Sequence, residues 1–429
     1  MSTKVERSCG AQRRTRENVR LALAVSLALA PLASALAEIK PLVDFRLRSE
    51  SVEQTPFANE ADVTTLRGRL GVEVGKLWST AFLIEGEGVT PLNGDYRPDT
   101  SVANMTTFPV IPDPEGYEIN RLQLTNTSLP GTALTLGRQR INLDDQRFMG
   151  NSGWRQNEQT YDGFRVVNKS VKNLSIDAAY FNQANRFFGP ESPQGRYEGD
   201  NFYANLGYQT PIGKLSGFAY VFDFDTLTRF PGLTAGQAAA LNPVRASTET
   251  YGVRIAGDRA LGKVKLGYNA SYADQKSLQN NPLDFSLSYR LAEVTAGYRV
   301  FTFGLGQELM EGNGTVGFAT PMSTLHKFQG WADKFLTTPA NGMDDRYASL
   351  GVATKKLGMF DSFSASVVYH SYATDRMSID LGSEVNLQLQ AKWKRFVARQ
   401  VCDYSAQAGE TPAIYRDTSK LWAQLDFVW

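Results

Sequence analysis

The sequence predicts an all-β protein: a single transmembrane antiparallel β-barrel of eighteen strands that follows a cleaved signal peptide. Three observations lead there. The chain ends on Leu421-Trp-Ala-Gln-Leu-Asp-Phe-Val-Trp429, which puts Leu421, Ala423, Leu425, Phe427 and Trp429 on one face of a strand and Gln424 and Asp426 on the other. Segments of about ten residues with the same dyad alternation recur along the chain, as expected of a wall that meets lipid on one side and water on the other. The connections between them alternate short and long, as periplasmic turns and extracellular loops do in such barrels.

The first element is the signal. Arg13, Arg14, Arg16 and Arg20 precede the apolar stretch 21–30, Pro31 breaks it, and Ala35-Leu-Ala37 offers a cleavage site. The apolar stretch falls short of the ~20 residues that a retained membrane helix needs. Cleavage makes residues 1–37 the signal peptide and 38–429 the barrel.

Eighteen segments then follow at 40–51, 62–75, 78–89, 116–127, 132–142, 159–168, 172–183, 198–210, 214–225, 248–258, 262–274, 283–298, 300–310, 345–356, 361–375, 381–392, 395–406 and 416–429. The first three alternate Arg, Asp and Glu with Val, Leu and Phe. The fourth to sixth carry Glu118, Arg138 and Asp162 among apolar residues. The ninth, eleventh and fifteenth present apolar rows read as lipid-facing: Phe218, Tyr220, Phe222 and Phe224; Val264, Leu266, Tyr268 and Tyr272; Phe363, Ala365, Val367 and Tyr369. A count of sixteen stays open, because the two faces are hardest to tell apart at 159–170 and 283–310. An even count returns both termini to the periplasmic side.

Tight linkers such as Ser128-Leu-Pro-Gly131, Thr210-Pro-Ile-Gly213 and Leu357-Gly-Met-Phe360 alternate with long stretches at 90–115, 143–158, 184–197, 226–247 and 311–344. The Pro-rich 90–115 reads as an extended polar flap. In 311–344, Leu325, Phe328, Trp331 and Phe335 recur near helical spacing, which predicts a short amphipathic helix able to cap or enter the bore. Lys327, Phe328, Trp331 and Lys334 are the expected constriction residues.

Composition agrees. Without residues 1–37 the chain carries 39 Lys+Arg against 42 Asp+Glu, a net charge of −3 that gives no footing for nucleic acid. Cys402 is then the single cysteine, so no internal disulfide forms. A mean hydropathy of −0.31 is neutral for a barrel, in which only alternate residues meet lipid. A soluble β-sandwich would need the apolar rows buried against a second sheet.

If apolar rows face out, the partner rows line a wet bore. The sequence nominates Asp44, Arg46, Arg48, Arg67, Arg69, Glu73, Glu85 and Glu87 there, followed by Glu118, Arg138, Arg140, Asp162, Asp223, Arg254 and Glu384. A single Arg at the lipid midplane costs about 2–4 kcal/mol, which fixes the charged face as the inner one. Guanidinium groups suit repeated contact with carboxylates and point to an anionic or polar solute. The bland reading is that the Arg and Glu side chains pair across strands and only stiffen the wall.

Leu136-Gly-Arg-Gln-Arg140, Asn151-Ser-Gly-Trp-Arg-Gln-Asn157 and Thr160-Tyr-Asp-Gly-Phe-Arg165, with Gly317 to Leu336 and the Lys420 to Phe427 ending, resemble the alginate-export family of outer-membrane barrels. The resemblance implies an eighteen-stranded barrel whose Arg-rich lumen passes anionic polysaccharide outward past inward-folded segments. Arg138, Arg140, Arg155 and Arg165 fall in the matching motifs. The chain departs from that pattern in having lumen rows nearly as acidic as basic and no long periplasmic turn.

The expected function is thus an outer-membrane channel for anionic or polar solutes, carbohydrate or carboxylate. The alternatives are an uptake porin for small organic acids or aromatic compounds, and a closed structural or adhesion barrel. Expected partners are outer-membrane lipids, the solute, small or polymeric, and the barrel-assembly machinery reading Trp429. His326 and His370 form no Ser–His pair or metal-ligand spacing, so neither catalysis nor a cofactor is expected.

Overall fold

The computed structural model describes residues 38–100, 105–226, 235–278, 280–394, 396–403 and 417–429. The expected signal peptide lies outside them. Each of the eighteen expected segments overlaps one strand: β1 Ile39–Gln54, β2 Ala61–Leu77, β3 Thr80–Asp95, β4 Gly116–Asn126, β5 Thr132–Gln139, β6 Thr160–Asn168, β7 Leu174–Asn185, β8 Arg196–Thr210, β9 Gly213–Phe224, β10 Thr248–Leu261, β11 Val264–Ser277, β12 Ser286–Tyr298, β13 Phe301–Met310, β14 Met343–Leu357, β15 Phe360–Ala373, β16 Asp380–Trp393, β17 Phe396–Asp403 and β18 Thr418–Val428. Each pairs antiparallel with the next, and β18 closes on β1 in the register Phe45↔Phe427 and Leu47↔Leu425. Closure leaves no free edge, the condition for a sheet to cross lipid.

The pattern of burial is that of a protein turned inside out. Along β1, Phe45 and Leu47 are exposed while Arg46, Arg48 and Glu50 are buried, and along β18 Leu421 and Leu425 are exposed while Lys420, Trp422, Gln424 and Asp426 are buried. The terminal apolar row therefore faces outward as its alternation predicts.

The bore is filled by loops. The β5–β6 connection, 140–159, leaves one wall and reaches the other: Trp154 lies against Trp422 of β18, whereas Phe148 packs on Phe218 and Tyr220 of β9 and Tyr289 of β12, with ring centroids 4.9 to 5.6 Å apart. The β13–β14 connection, 311–342, joins it. Among its described residues the only helical turn is Leu325–Lys327, so the expected amphipathic helix is absent; Trp331 and Ala332 are instead bound by backbone to the wall.

Two expectations about faces are corrected. Phe218, Tyr220, Phe222 and Phe224 point inward and are buried around Phe148 and Phe181, and Asp223 takes the outer face with Val221. Both rows of β9 are apolar, and the larger rings follow the apolar loop inside rather than the lipid. The 96–115 connection is no polar flap at its end: Ile111 is buried with Val52, Ala61 and Val63, and Asp113 is buried against Arg48.

Phe148 is the apolar anchor of the 140–159 loop. Replacing it with Ala should remove about 3–5 kcal/mol of seating while leaving the barrel closed. Trypsin should then cut at Arg147 or Arg155 in a variant that keeps the heat-modifiable electrophoretic mobility of a folded barrel; resistance equal to wild type would contradict this role.

Candidate functional site: a charged bore crossed by two loops

Pairing of β1 with β2 sets Arg46 directly opposite Arg67 and Asp44 opposite Arg69, all on the inner face. Like charges facing across a ladder repel. Here the guanidinium groups are compensated: Arg46 Nε donates to Asp426 at 2.7 Å, Arg67 Nη2 to Asp44 at 2.5 Å, Arg48 Nε to Gln424 at 2.9 Å, and Arg69 to Glu87. Arg46, Arg48 and Arg69 spend further donors on the loop, while Arg67 Nε and Nη1 have no hydrogen-bond partner among the described residues. Arg46 Nη1 donates to the carbonyls of Gly153, Trp154 and Arg155 at 3.0 to 3.1 Å, Arg48 to the carbonyl of Trp154, and Arg69 Nη2 to that of Gln156 at 3.3 Å. Arg48 also stacks on the Trp154 ring, 4.5 Å from its centroid.

Further round the ring, β16 and β13 do the converse. Glu384 of β16 accepts the backbone N–H groups of Trp331 at 2.5 Å and Ala332 at 2.9 Å. Glu308 of β13 pairs with Arg147 at 2.7 Å and accepts from Tyr289 Oη at 2.7 Å and Gln329 Nε2 at 2.8 Å. Loop carbonyls are thus held by arginines of β1 and β2, and loop amides by a carboxylate of β16.

The two loops interlock at mid-bore. Gly150 N donates to Met322 O at 2.9 Å, Thr324 N to Gln146 O at 3.1 Å, and Ser152 N to Thr324 Oγ1 at 3.2 Å. A Cβ on Gly150 would stand 2.2 Å from Thr324 Oγ1, so only glycine allows this approach. Asp333 ties the loops to the wall, bonded to Arg155 at 2.6 Å, Lys420 at 3.0 Å and His326 Nδ1 at 2.8 Å. His326 is stacked on Trp154 at 4.4 Å and Trp422 meets both rings edge-on.

This setting fixes the protonation states of the loop groups. Burial, with Arg155 and Lys420 nearby, lowers His326 to about 4 despite Asp333, so its ring is neutral and donates from Nδ1. Burial alone would raise Asp333, but His326, Lys420 and Arg155 together reverse this and hold it below the usual carboxylate range. Glu158 is likewise held low, because Arg69 and Arg140 outweigh its burial. Lys334 is brought down to about 8 by burial and by Lys420.

Of the residues nominated from sequence, Arg46, Arg48, Arg67, Arg69, Glu85 and Glu87 come together, with Arg140 joined to Glu158 and Glu85 to Arg121 at 2.7 Å. Glu118 sits across from Glu87, Glu73 across from Lys40, and Arg254 reaches Asp145 at 3.2 Å. Arg138 and Asp162 do not line the bore. They share the outward faces of Leu136, 58% exposed, and Phe164, 43% exposed, and fork onto each other at 2.7 and 2.8 Å. They lie at the loop ends of their strands, where a charge on the outer face costs about 0–1 kcal/mol. Arg138 and Arg140 have the same parity, but β5 ends at Gln139, and Arg140 turns inward past the strand end.

In the long loop, Lys327 Nζ donates to Asp145 O at 2.8 Å, Phe328 lies under Arg147, and Trp331 stacks distantly on His326. Lys334 Nζ is buried without a hydrogen-bond partner among the described residues. It borders a cavity of about 380 Å³ walled by Phe57, Trp154, Phe187 and Phe188 and bordered also by Arg155 and Lys420.

No family model and no curated protein matches the sequence. Solved structures do match in fold: OccAB2 of Acinetobacter baumannii (TM-score 0.63, 14% identity, 91% of this chain and 98% of that one), OpdK of Pseudomonas aeruginosa with vanillate (0.61, 12%, 91% and 98%) and OccK2 (OpdF) of Pseudomonas aeruginosa in complex with glucuronate (0.60, 12%, 91% and 98%). The fold is that of the outer-membrane porins. The closed wall with its apolar outer face belongs in the outer membrane, and this likeness supports the porin-like part of the alginate-export resemblance without reaching that family.

Sequence reasoning passed over Arg147, Trp154, Glu158, Arg186, Asp333 and Lys420 as site residues. Five of these lie in loops without periodicity, and the one available signal was a tryptophan and two arginines set in the polar run 147–158.

Two outcomes follow. Glu384→Ala removes the acceptor of two amides, each charge-assisted bond worth about 1.5–3 kcal/mol. Single-channel conductance in planar bilayers should rise as the 311–342 loop loosens; unchanged conductance would contradict the anchor. His326 takes up its proton near 6.5 when released and only near 4 when seated, so its contribution to loop seating is full above pH 6.5 and is lost as pH falls toward 4. Transient openings should become more frequent between pH 6.5 and 4.5 in wild type, and His326→Gln should remove that component.

Proposed function

We propose that the chain is an outer-membrane uptake channel for small organic acids, in preference to an exporter of anionic polysaccharide. The observation that carries this reading is the bore itself. Loops 140–159 and 311–342 cross it and are fixed to both walls, and the space above them is a cavity of about 380 Å³, within the range that encloses a small molecule rather than a polymer chain. Aromatic walls from Trp154, Phe187 and Phe188 suit a flat or cyclic body, and Lys334, with its ammonium unspent, suits its carboxylate. Two neighbours in fold carry vanillate and glucuronate, which are acids of this size. Outer-membrane lipids would meet the apolar outer row, and the assembly machinery would read the Trp429 end.

The charges that select the solute are then the uncommitted ones. Arg46, Arg48 and Arg69 hold the loop, Arg67 pairs with Asp44, and together they set the local field, whereas Lys334 meets the solute. In planar bilayers under a KCl gradient the purified barrel should prefer anions, with Lys334→Gln moving the reversal potential toward zero and Arg138→Gln leaving it in place. A cation preference, or an equal effect of Arg138→Gln, would sink the proposal, and an absence of conductance would favour a closed structural barrel. Slower growth of a deletion strain on aromatic or sugar acids as carbon source would mark the direction as uptake.

A further inference from the structure

A second buried cation stands apart from this cavity. Arg186 opens the β7–β8 connection, and its residue is only 7% exposed. Its guanidinium lies over the ring of Tyr197 at 4.2 Å and near those of Phe188 at 5.3 Å and Phe187 at 5.6 Å. Its only side-chain hydrogen bond is a long one from Nη1 to Gln194 O at 3.5 Å, its Nε has none, and no carboxylate pairs with it among the described residues. Stacking uses the faces of a guanidinium and leaves its edge donors free. A buried guanidinium without a counter-charge is costly, and every wall arginine described above has one.

Arg186 borders a cavity of about 540 Å³ that does not include Lys334. Leu241, Pro243, Leu283, Phe318 and Leu325 give that cavity an apolar side. Phe187, Phe188, Gln194, Leu325 and Leu336 border both cavities, so the two are adjacent across a shared, mostly apolar partition.

Building on the uptake reading, we infer that Arg186 is a second carboxylate-binding site, specific for a small acid with an apolar body, adjoining the Lys334 site. The guanidinium edge takes the two carboxylate oxygens as parallel N–H···O bonds, and the apolar lining covers the rest of the solute. Gln194, Asn242 and Arg245 also border the cavity, but the rings of Phe187, Phe188 and Tyr197 around the guanidinium give a flat apolar body more to stack on than a sugar ring. The site therefore favours aromatic over sugar acids where Lys334 alone, a point charge, does not.

The test is block of the wild-type channel in planar bilayers by sodium benzoate and, separately, by sodium glucuronate, compared with Arg186→Gln, Arg186→Lys and Lys334→Gln. Heat-modifiable mobility identifies the folded variants, and Arg186→Lys keeps the charge if the Gln variant does not fold. Arg186→Gln should raise the half-blocking benzoate concentration at least about tenfold, Arg186→Lys by less, and both should shift glucuronate block by under about threefold, the bidentate bonds being charge-assisted. If benzoate block is unchanged in both Arg186 variants while Lys334→Gln weakens it, the second site is wrong and the uptake reading stands. If neither acid acts on wild type, the uptake reading itself fails.

Discussion

The structure depends on one exchange: side-chain charge on the wall for backbone dipole in the loops. Two irregular segments cross a bore where their peptide groups are cut off from bulk water, and such groups must find partners. Arg46, Arg48 and Arg69 supply donors for the carbonyls of 153–156, and Glu384 supplies an acceptor for the amides of 331 and 332. The mixed sign of the lumen, which looks wasteful for an anion channel, follows from this. Carbonyls need cations and amides need anions, so a wall that grips two backbones carries both.

That exchange also separates structural from selective charge. An arginine with a carboxylate and two carbonyls has little capacity left for a solute, whereas Lys334 and Arg186 are buried among aromatic rings with their donors largely unspent. Neither belongs to the dense charged rows of β1 to β3. On the proposed function, anion recognition resides in the loops, supported by a wall whose own charges are neutralised in pairs.

The barrel was legible because its code is local. A strand that must face lipid and water declares itself within ten residues, and the terminal Leu421 to Trp429 row lies as its alternation reads. The reading erred where both rows are apolar, as in β9, because the sequence does not say that Phe148, far along the chain, brings an apolar surface inside. It erred again at Arg138, where parity was carried past the end of β5. The site was legible only in its wall. Arg155 and Asp333 reach Lys420 of β18 from loop segments without periodicity, and no spacing in the chain encodes that meeting.

The closing contact between first and last strands has a particular consequence. Arg46 and Arg48 on β1 bond across the junction to Asp426 and Gln424 on β18, and the same two arginines hold the carbonyl of Trp154, whose ring abuts Trp422. The join where the cylinder is completed is consequently latched from within by a segment belonging to neither strand. The side-chain bonding around this seam is complete only with that segment inside, so packing of the interior adds to the hold of the ladder that completes the wall.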